Sequence, residues 1–183
     1  MTNFSAVPAS MSAFEVELLF TSTAFAAAGS LFEAYALSVS PVGFEAYRQN
    51  PGLTLVSVVG FAGREISGSL VLGASSEPLL RSNPTQAPQR DWIGELANQL
   101  LGRVKNKIAR HGIEIYAVPP SVVSGEHLAP VTSVGDFAPL VFSTPGGGIV
   151  CLWIDLAVAP ELRLADLLVG GIEIPNEGDV ILF

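Results

Sequence analysis

The stretch from Leu53 to Ser75, "LTLVSVVGFAGREISGSLVLGAS", constrains the fold most. It holds two apolar runs rich in valine and leucine, Leu53 to Phe61 and Ile66 to Leu72. Four residues, "AGRE", separate them. Runs of this length around a short glycine-bearing break form a β-hairpin, so the two strands are antiparallel neighbours. Gly63 is able to take a positive φ in the turn.

The hairpin lies between two helical patterns. Phe14 to Leu37 is rich in Ala, Leu and Phe at helical spacing, and the two prolines between Ser38 and Pro51 end it. "SSEPLLRSNPTQAPQR" carries three prolines and reads as a loop with one helical turn. "DWIGELANQLLGRVKNKI", Asp91 to Ile108, is an amphipathic helix, with Gly112 placed to cap its end. "IEIYAVPPSVVSG" follows as a strand bent at Pro119 and Pro120. "APLVFSTPGGGIVCLWIDLAV" forms a second hairpin around Thr144 to Gly148. "APELRLADLLVGG" suggests a short helix before the acidic and apolar end "IEIPNEGDVILF". There is no internal repeat and no linker. Strands in runs rather than in alternation with helices predict an α+β fold: a mainly antiparallel sheet packed against two long helices.

Composition narrows the partners. The net charge is −8, which disfavours nucleic acid and anionic membrane surfaces. Of 183 residues, 49% are hydrophobic and 14% charged, so the chain folds around a sizeable core. Cys151 is the single cysteine, which excludes an internal disulfide and suits a buried strand position in a reducing, cytoplasmic setting. "FTSTAFAAAGSLFEAYALSV" is as long as a membrane span, yet it contains Thr21, Ser22, Thr23, Ser30 and Glu33 without basic flanks. It is expected to be a core helix. The first residues have no basic stretch and are not expected to act as a signal peptide.

The second long helix has an unusual polar face. At about 100° per residue, with Asp91 at zero, Glu95 falls near 40°, Asn98 near 340°, Gly102 near 20° and Lys105 near 320°. Ile93, Leu96, Ala97, Leu100, Leu101, Val104 and Ile108 occupy the opposite side, roughly 140° to 280°. Gly102 costs about 1 kcal/mol against alanine inside a helix, and on an exposed strip it clears space for another backbone. Asp91 lies at the helix start, where a carboxylate favours the dipole. A carboxylate and an amide at i and i+3 have no nucleophile beside them and are too few for a metal site. They suit docking onto a cation and placing a water molecule, because an amide both donates and accepts. By residue type alone, an ordinary solvated face is the favoured reading.

In its setting, this helix resembles the Asp/Ser-x-x-x-Glu-x-x-Asn helix of the CheC/CheX/FliY chemotaxis phosphatases. Asp91, Glu95 and Asn98 match its three positions. "VVGFAGREISGSLVL" is similar to the hairpin before that helix, and "IEIYAVPPSVVSG" to the proline-containing strand after it. The resemblance covers about Phe14 to Leu156. It implies a CheC-like α+β fold and a single domain over 1–183, with its core at about 14–156 and an extension at about 162–183. The first helix reads "SLFEAYA", where Ala36 stands three places after Glu33, so no second site is carried there. One site resembles CheX, whose relatives are homodimers joined sheet edge to sheet edge.

The resemblance also implies an activity, hydrolysis of the aspartyl phosphate on a CheY-like response regulator. Asn98 would orient the water and Glu95 would pair with the regulator's lysine. Asp91 would add a contact or support the helix start, and Gly102 would admit the partner. The chain would carry no cofactor of its own, since the Mg2+ comes with the phosphorylated regulator. The rival readings are a non-catalytic regulator-binding or flagellar-switch adaptor of the same fold, and an unrelated α+β scaffold with a chance motif. The proline-broken segment before the helix and the extension depart from the family pattern.

Other features carry blander expectations. "STPGGGIV" lacks a lysine and a following helix, so it is a hairpin turn and not a phosphate loop. His111 suits a helix end, and His127 has no constrained triad around it. "RVKNKIAR" is a solvated helix end or a basic rim facing an acidic regulator. Trp92 and Trp153 are expected to pack, with a place at the rim of the docking face as the alternative for Trp92.

Overall fold

The computed structural model describes residues 11–49, 52–128 and 138–159. The elements are α1 (Ala13–Ala34), β1 (Ser40–Val42), α2 (Phe44–Gln49), β2 (Leu55–Ala62), β3 (Ile66–Ala74), α3 (Ser76–Ser82), α4 (Gln89–Ile108), β4 (Tyr116–Ala117), β5 (Ser121–Ser124), β6 (Leu140–Ser143) and β7 (Ile149–Val158). The helix expected in "APELRLADLLVGG" and the extension at 162–183 lie outside the described residues.

The expected α+β architecture is present. Seven strands form one sheet in the order β1-β6-β7-β3-β2, and β4 and β5 both pair with the far side of β2. Every pairing is antiparallel. Pro119 and Pro120 divide the outer strand into β4 and β5, since proline cannot donate to a ladder. β2 and β3 pair from Leu55↔Ala74 to Ala62↔Ser67, as the hairpin reading anticipated.

Alternation along the strands decides the layers. Leu55, Val59 and Phe61 of β2, Leu70, Leu72 and Ala74 of β3, and Val150 and Leu152 of β7 join one cluster with α1 and α4. Val56, Val71, Cys151 and Trp153 point to the opposite face and meet Tyr47 of α2. Because β7 is central, both its faces are covered over Ile149 to Trp153, which explains its unbroken apolar run.

α1 starts with a capping box that the sequence reading did not name. The Ser12 hydroxyl accepts from the Glu15 amide, and the Glu15 carboxylate accepts from the Ser12 amide at 2.7 Å. The bonds that its carboxylate accepts, from the Ser12 amide and then the Ser12 hydroxyl, hold the Glu15 carboxyl below its ordinary range. α1 buries Phe20, Ala24, Ala28 and Phe32 but leaves Phe14 and Leu18 exposed, so it covers the core without being wholly inside it. No described helix is long and apolar enough to cross a membrane.

Three local expectations need correction. Gly63 has no positive φ; among glycines that conformation occurs at Gly112 and Gly147. Gly63 is needed because a Cβ there would run into the Glu114 carbonyl oxygen. The proline-rich segment before α4 contains a seven-residue helix, α3, with Leu79 buried. The break after α1 holds β1 and α2, too short to leave a periodic signal. α4 runs on into a 3-10 turn, Ala109–His111, and it is this turn that Gly112 caps, with φ 74°.

Candidate functional site

α4 begins at Gln89, directly after Pro88, whose fixed φ sets the entry of the chain. The Asp91 and Trp92 amides both donate to the Pro88 carbonyl. Asp91 therefore sits in the first turn, where its charge meets the positive end of the helix dipole. Trp92 anchors that turn from below. Its indole N–H donates to the Ser82 hydroxyl of α3 at 3.0 Å, and Tyr35 at the end of α1 stands edge-on to its ring at 4.8 Å. Trp92 is thus a packing residue, 5% exposed.

The apolar stripe of α4 is buried as the helical repeat predicts, and Asp91, Glu95 and Asn98 are exposed on the opposite side. All three line one open cleft of about 400 Å³, together with Arg90, Gly94, Pro120 and Val122. Its floor is helix and its wall is the start of β5. Gly94 faces that wall: a Cβ there would lie 3.5 Å from Val122 and 3.7 Å from Pro120, ordinary contact distances. The lining groups are one guanidinium, two carboxylates, one amide and an apolar wall. Such a set has charge for docking and a donor–acceptor pair for placing water, with no thiol or hydroxyl to serve as nucleophile.

Gly102 lies one turn farther along and is not part of that cleft. A Cβ at Gly102 would meet nothing within 4 Å, so its lack of a side chain serves no contact among the described residues. Near it, the Lys105 ammonium stands over the exposed Tyr116 ring of β4, 5.9 Å from the centroid.

Glu95 is tied to its own helix. Gln99 donates from its side-chain amide to Glu95 Oε1 at 2.7 Å, and Gln99 Oε1 accepts from the Tyr35 hydroxyl at 2.8 Å. Sequence reasoning missed Gly94, Pro120, Val122, Tyr35 and Gln99. Gly94 carried a usable signal, as a second glycine in an otherwise strong helix. Tyr35 carried none, because 64 residues separate it from Gln99.

Cys151, Tyr47 and Trp153 form a separate group on the other face of the sheet. Burial pushes the Cys151 thiol up to about 12. Burial, and then the neighbouring Cys151, raise the Tyr47 hydroxyl as well. A thiol so placed is a packing group and not a nucleophile. His111 and His127 are exposed, and neither lines the cleft.

This architecture also occurs in solved proteins. CheX from Vibrio vulnificus superposes with a TM-score of 0.62 at 19% identity, covering 74% of this chain and 96% of that one. The fold is that of CheX and CheC-like chemotaxis proteins. A CheC-like protein from Shewanella oneidensis MR-1 gives a TM-score of 0.58 at 17% identity over 76% of this chain and 99% of its own. The CheX–CheY–BeF3–Mg2+ complex from Borrelia burgdorferi matches at 0.56 and 18% identity over 75% and 97%. No family model and no curated protein matches the sequence.

Proposed function

We propose that this chain is a phosphatase of a phosphorylated CheY-like response regulator. The observation that carries the reading is the exposure of Glu95 and Asn98 side by side in the α4–β5 cleft of a CheX-like fold. The Borrelia burgdorferi CheX of the same fold is found in complex with CheY, BeF3 and Mg2+. Asn98 enters the regulator's site and holds a water in line with the phosphorus through its donor and acceptor. The water oxygen bonds to phosphorus as the bond to the aspartyl carboxylate breaks. The products are inorganic phosphate and the free aspartate. Glu95 pairs with the regulator's lysine and sets the docking register. Asp91 and Gly102 lie along the contact, Asp91 as a further charge and Gly102 as clearance. The Mg2+ of the reaction arrives with the regulator, and this chain supplies no cofactor.

In the same reading the chain works in the cytoplasm as a homodimer. The outer sheet edge at β4 and β5, with Tyr116, Val118 and Val123 exposed, supports such a pairing.

The deciding experiment mixes the protein with a phosphorylated regulator and follows loss of phosphate. Wild type is expected to accelerate it. Asn98→Ala should lose that acceleration while still binding, and Glu95→Ala should lose it mainly through weaker binding. Wild-type activity in Asn98→Ala sinks the role given to Asn98. Binding without faster phosphate loss in the wild type assigns the chain to the non-catalytic regulator-binding or switch adaptors.

A further inference from the structure

An exposed carboxylate on a helix samples several rotamers, and ordering it on binding opposes affinity. Glu95 differs from an ordinary surface glutamate because its Oε1 accepts a bond from Gln99 at 2.7 Å, one helical turn on. The amide of Gln99 has only one consistent orientation. An ionised carboxylate accepts and cannot donate, so the NH2 group faces Glu95. The carbonyl oxygen is then left to accept from the Tyr35 hydroxyl at 2.8 Å. Tyr35 is itself held edge-on against Trp92, and Trp92 is bonded to buried Ser82. A run of contacts thus leads from the α1–α3–α4 packing to an exposed acid at the cleft.

We infer that Gln99 is a positioning residue for Glu95, holding its carboxylate in the orientation that meets a cation on the docking partner. The inference rests on the docking role proposed for Glu95. Gln99 touches no reacting atom in this reading, and acts through Glu95 alone. Tyr35 sets the Gln99 amide, so the end of the first helix takes part in the site on the second.

The test has two arms. In the first, steady-state dephosphorylation of a phosphorylated CheY-like regulator is measured for wild type, Gln99→Leu, Tyr35→Phe and Glu95→Ala. Gln99→Leu keeps a good helix former and removes both bonds. Its KM is expected to rise about three- to tenfold, the scale of ordering one long side chain, with kcat within about twofold. Tyr35→Phe keeps the ring on Trp92 and should move KM in the same direction by less. An unchanged KM in Gln99→Leu overturns the inference, and so does a loss confined to kcat.

The second arm needs no partner. The side-chain NH2 resonances of Gln99 are followed by NMR in the free protein. They are expected to shift in both Glu95→Ala and Tyr35→Phe. If they move in neither variant, the contact does not exist in solution and the inference falls. A wild type inactive on the regulator overturns the phosphatase reading, and the NMR arm then still decides the contact.

Discussion

The indole N–H of Trp92 donates to the hydroxyl of Ser82 across 3.0 Å, and both groups are buried. This bond fixes the start of α4 to α3, directly beneath the turn that carries Asp91 and Glu95. Ser82→Ala leaves a buried donor unpaired, which costs about 1–3 kcal/mol. Urea denaturation should show that loss with an unchanged slope. An unaltered midpoint would mean that the indole finds water in place of the hydroxyl.

Gly102 separates stability from docking. With nothing within 4 Å of an added Cβ, Gly102→Ala should raise stability by about 1 kcal/mol, the difference in helix propensity. Gly102→Arg should fold equally well and weaken binding of a phosphorylated regulator. Thermal melts and a binding titration of both variants check this. Undiminished binding by Gly102→Arg removes the clearance role.

Ser57 of β2 is fully buried, and its hydroxyl has no hydrogen-bond partner among the described residues. It lies in alternation with Leu55 and Val59, on the side that α4 covers. Ser57→Ala should relieve the desolvation and stabilise the fold by about 1 kcal/mol. A destabilised variant would reveal a partner for that hydroxyl.

Cys151 makes stability depend on alkaline pH. Its thiol is raised from 9.0 to about 12 in the folded chain. Below pH 9.0 both states hold the proton, and the contribution of the buried neutral thiol is fully present. Between 9.0 and about 12 the unfolded chain releases the proton first, so stability falls as pH rises through this window. Cys151→Ala should flatten that fall in denaturation midpoints. At pH 8 the native thiol should resist a disulfide reagent that modifies it readily in urea.

The long elements were legible because each repeats one physical rule many times. α4 alternates buried and exposed positions for five turns, and Ile93, Leu96, Leu100, Val104 and Ile108 are all buried. β2 and β3 announce themselves through their length and the break between them. Short elements repeat the rule too few times to stand out. β1 has three residues and α2 six, and each exists because a neighbour pairs or packs with it. Gly63 illustrates the same limit at one position: its turn suggested a φ requirement, whereas the constraint is steric, from Glu114, 51 positions away.

The sequence by itself determined the outward line of Asp91, Glu95, Asn98 and Gly102, because helical periodicity is local and needs no other part of the chain. Only the tertiary structure decided which of those residues share a cleft. Pro120 and Val122 reach Asp91, Glu95 and Asn98 through the pairing of β5 with β2, which lays them beside Gly94 of α4. The tie from Tyr35 through Gln99 to Glu95 is likewise set by the packing of α1 on α4. Contacts between distant segments depend on loop closure and sheet register, and no periodicity within either segment encodes them.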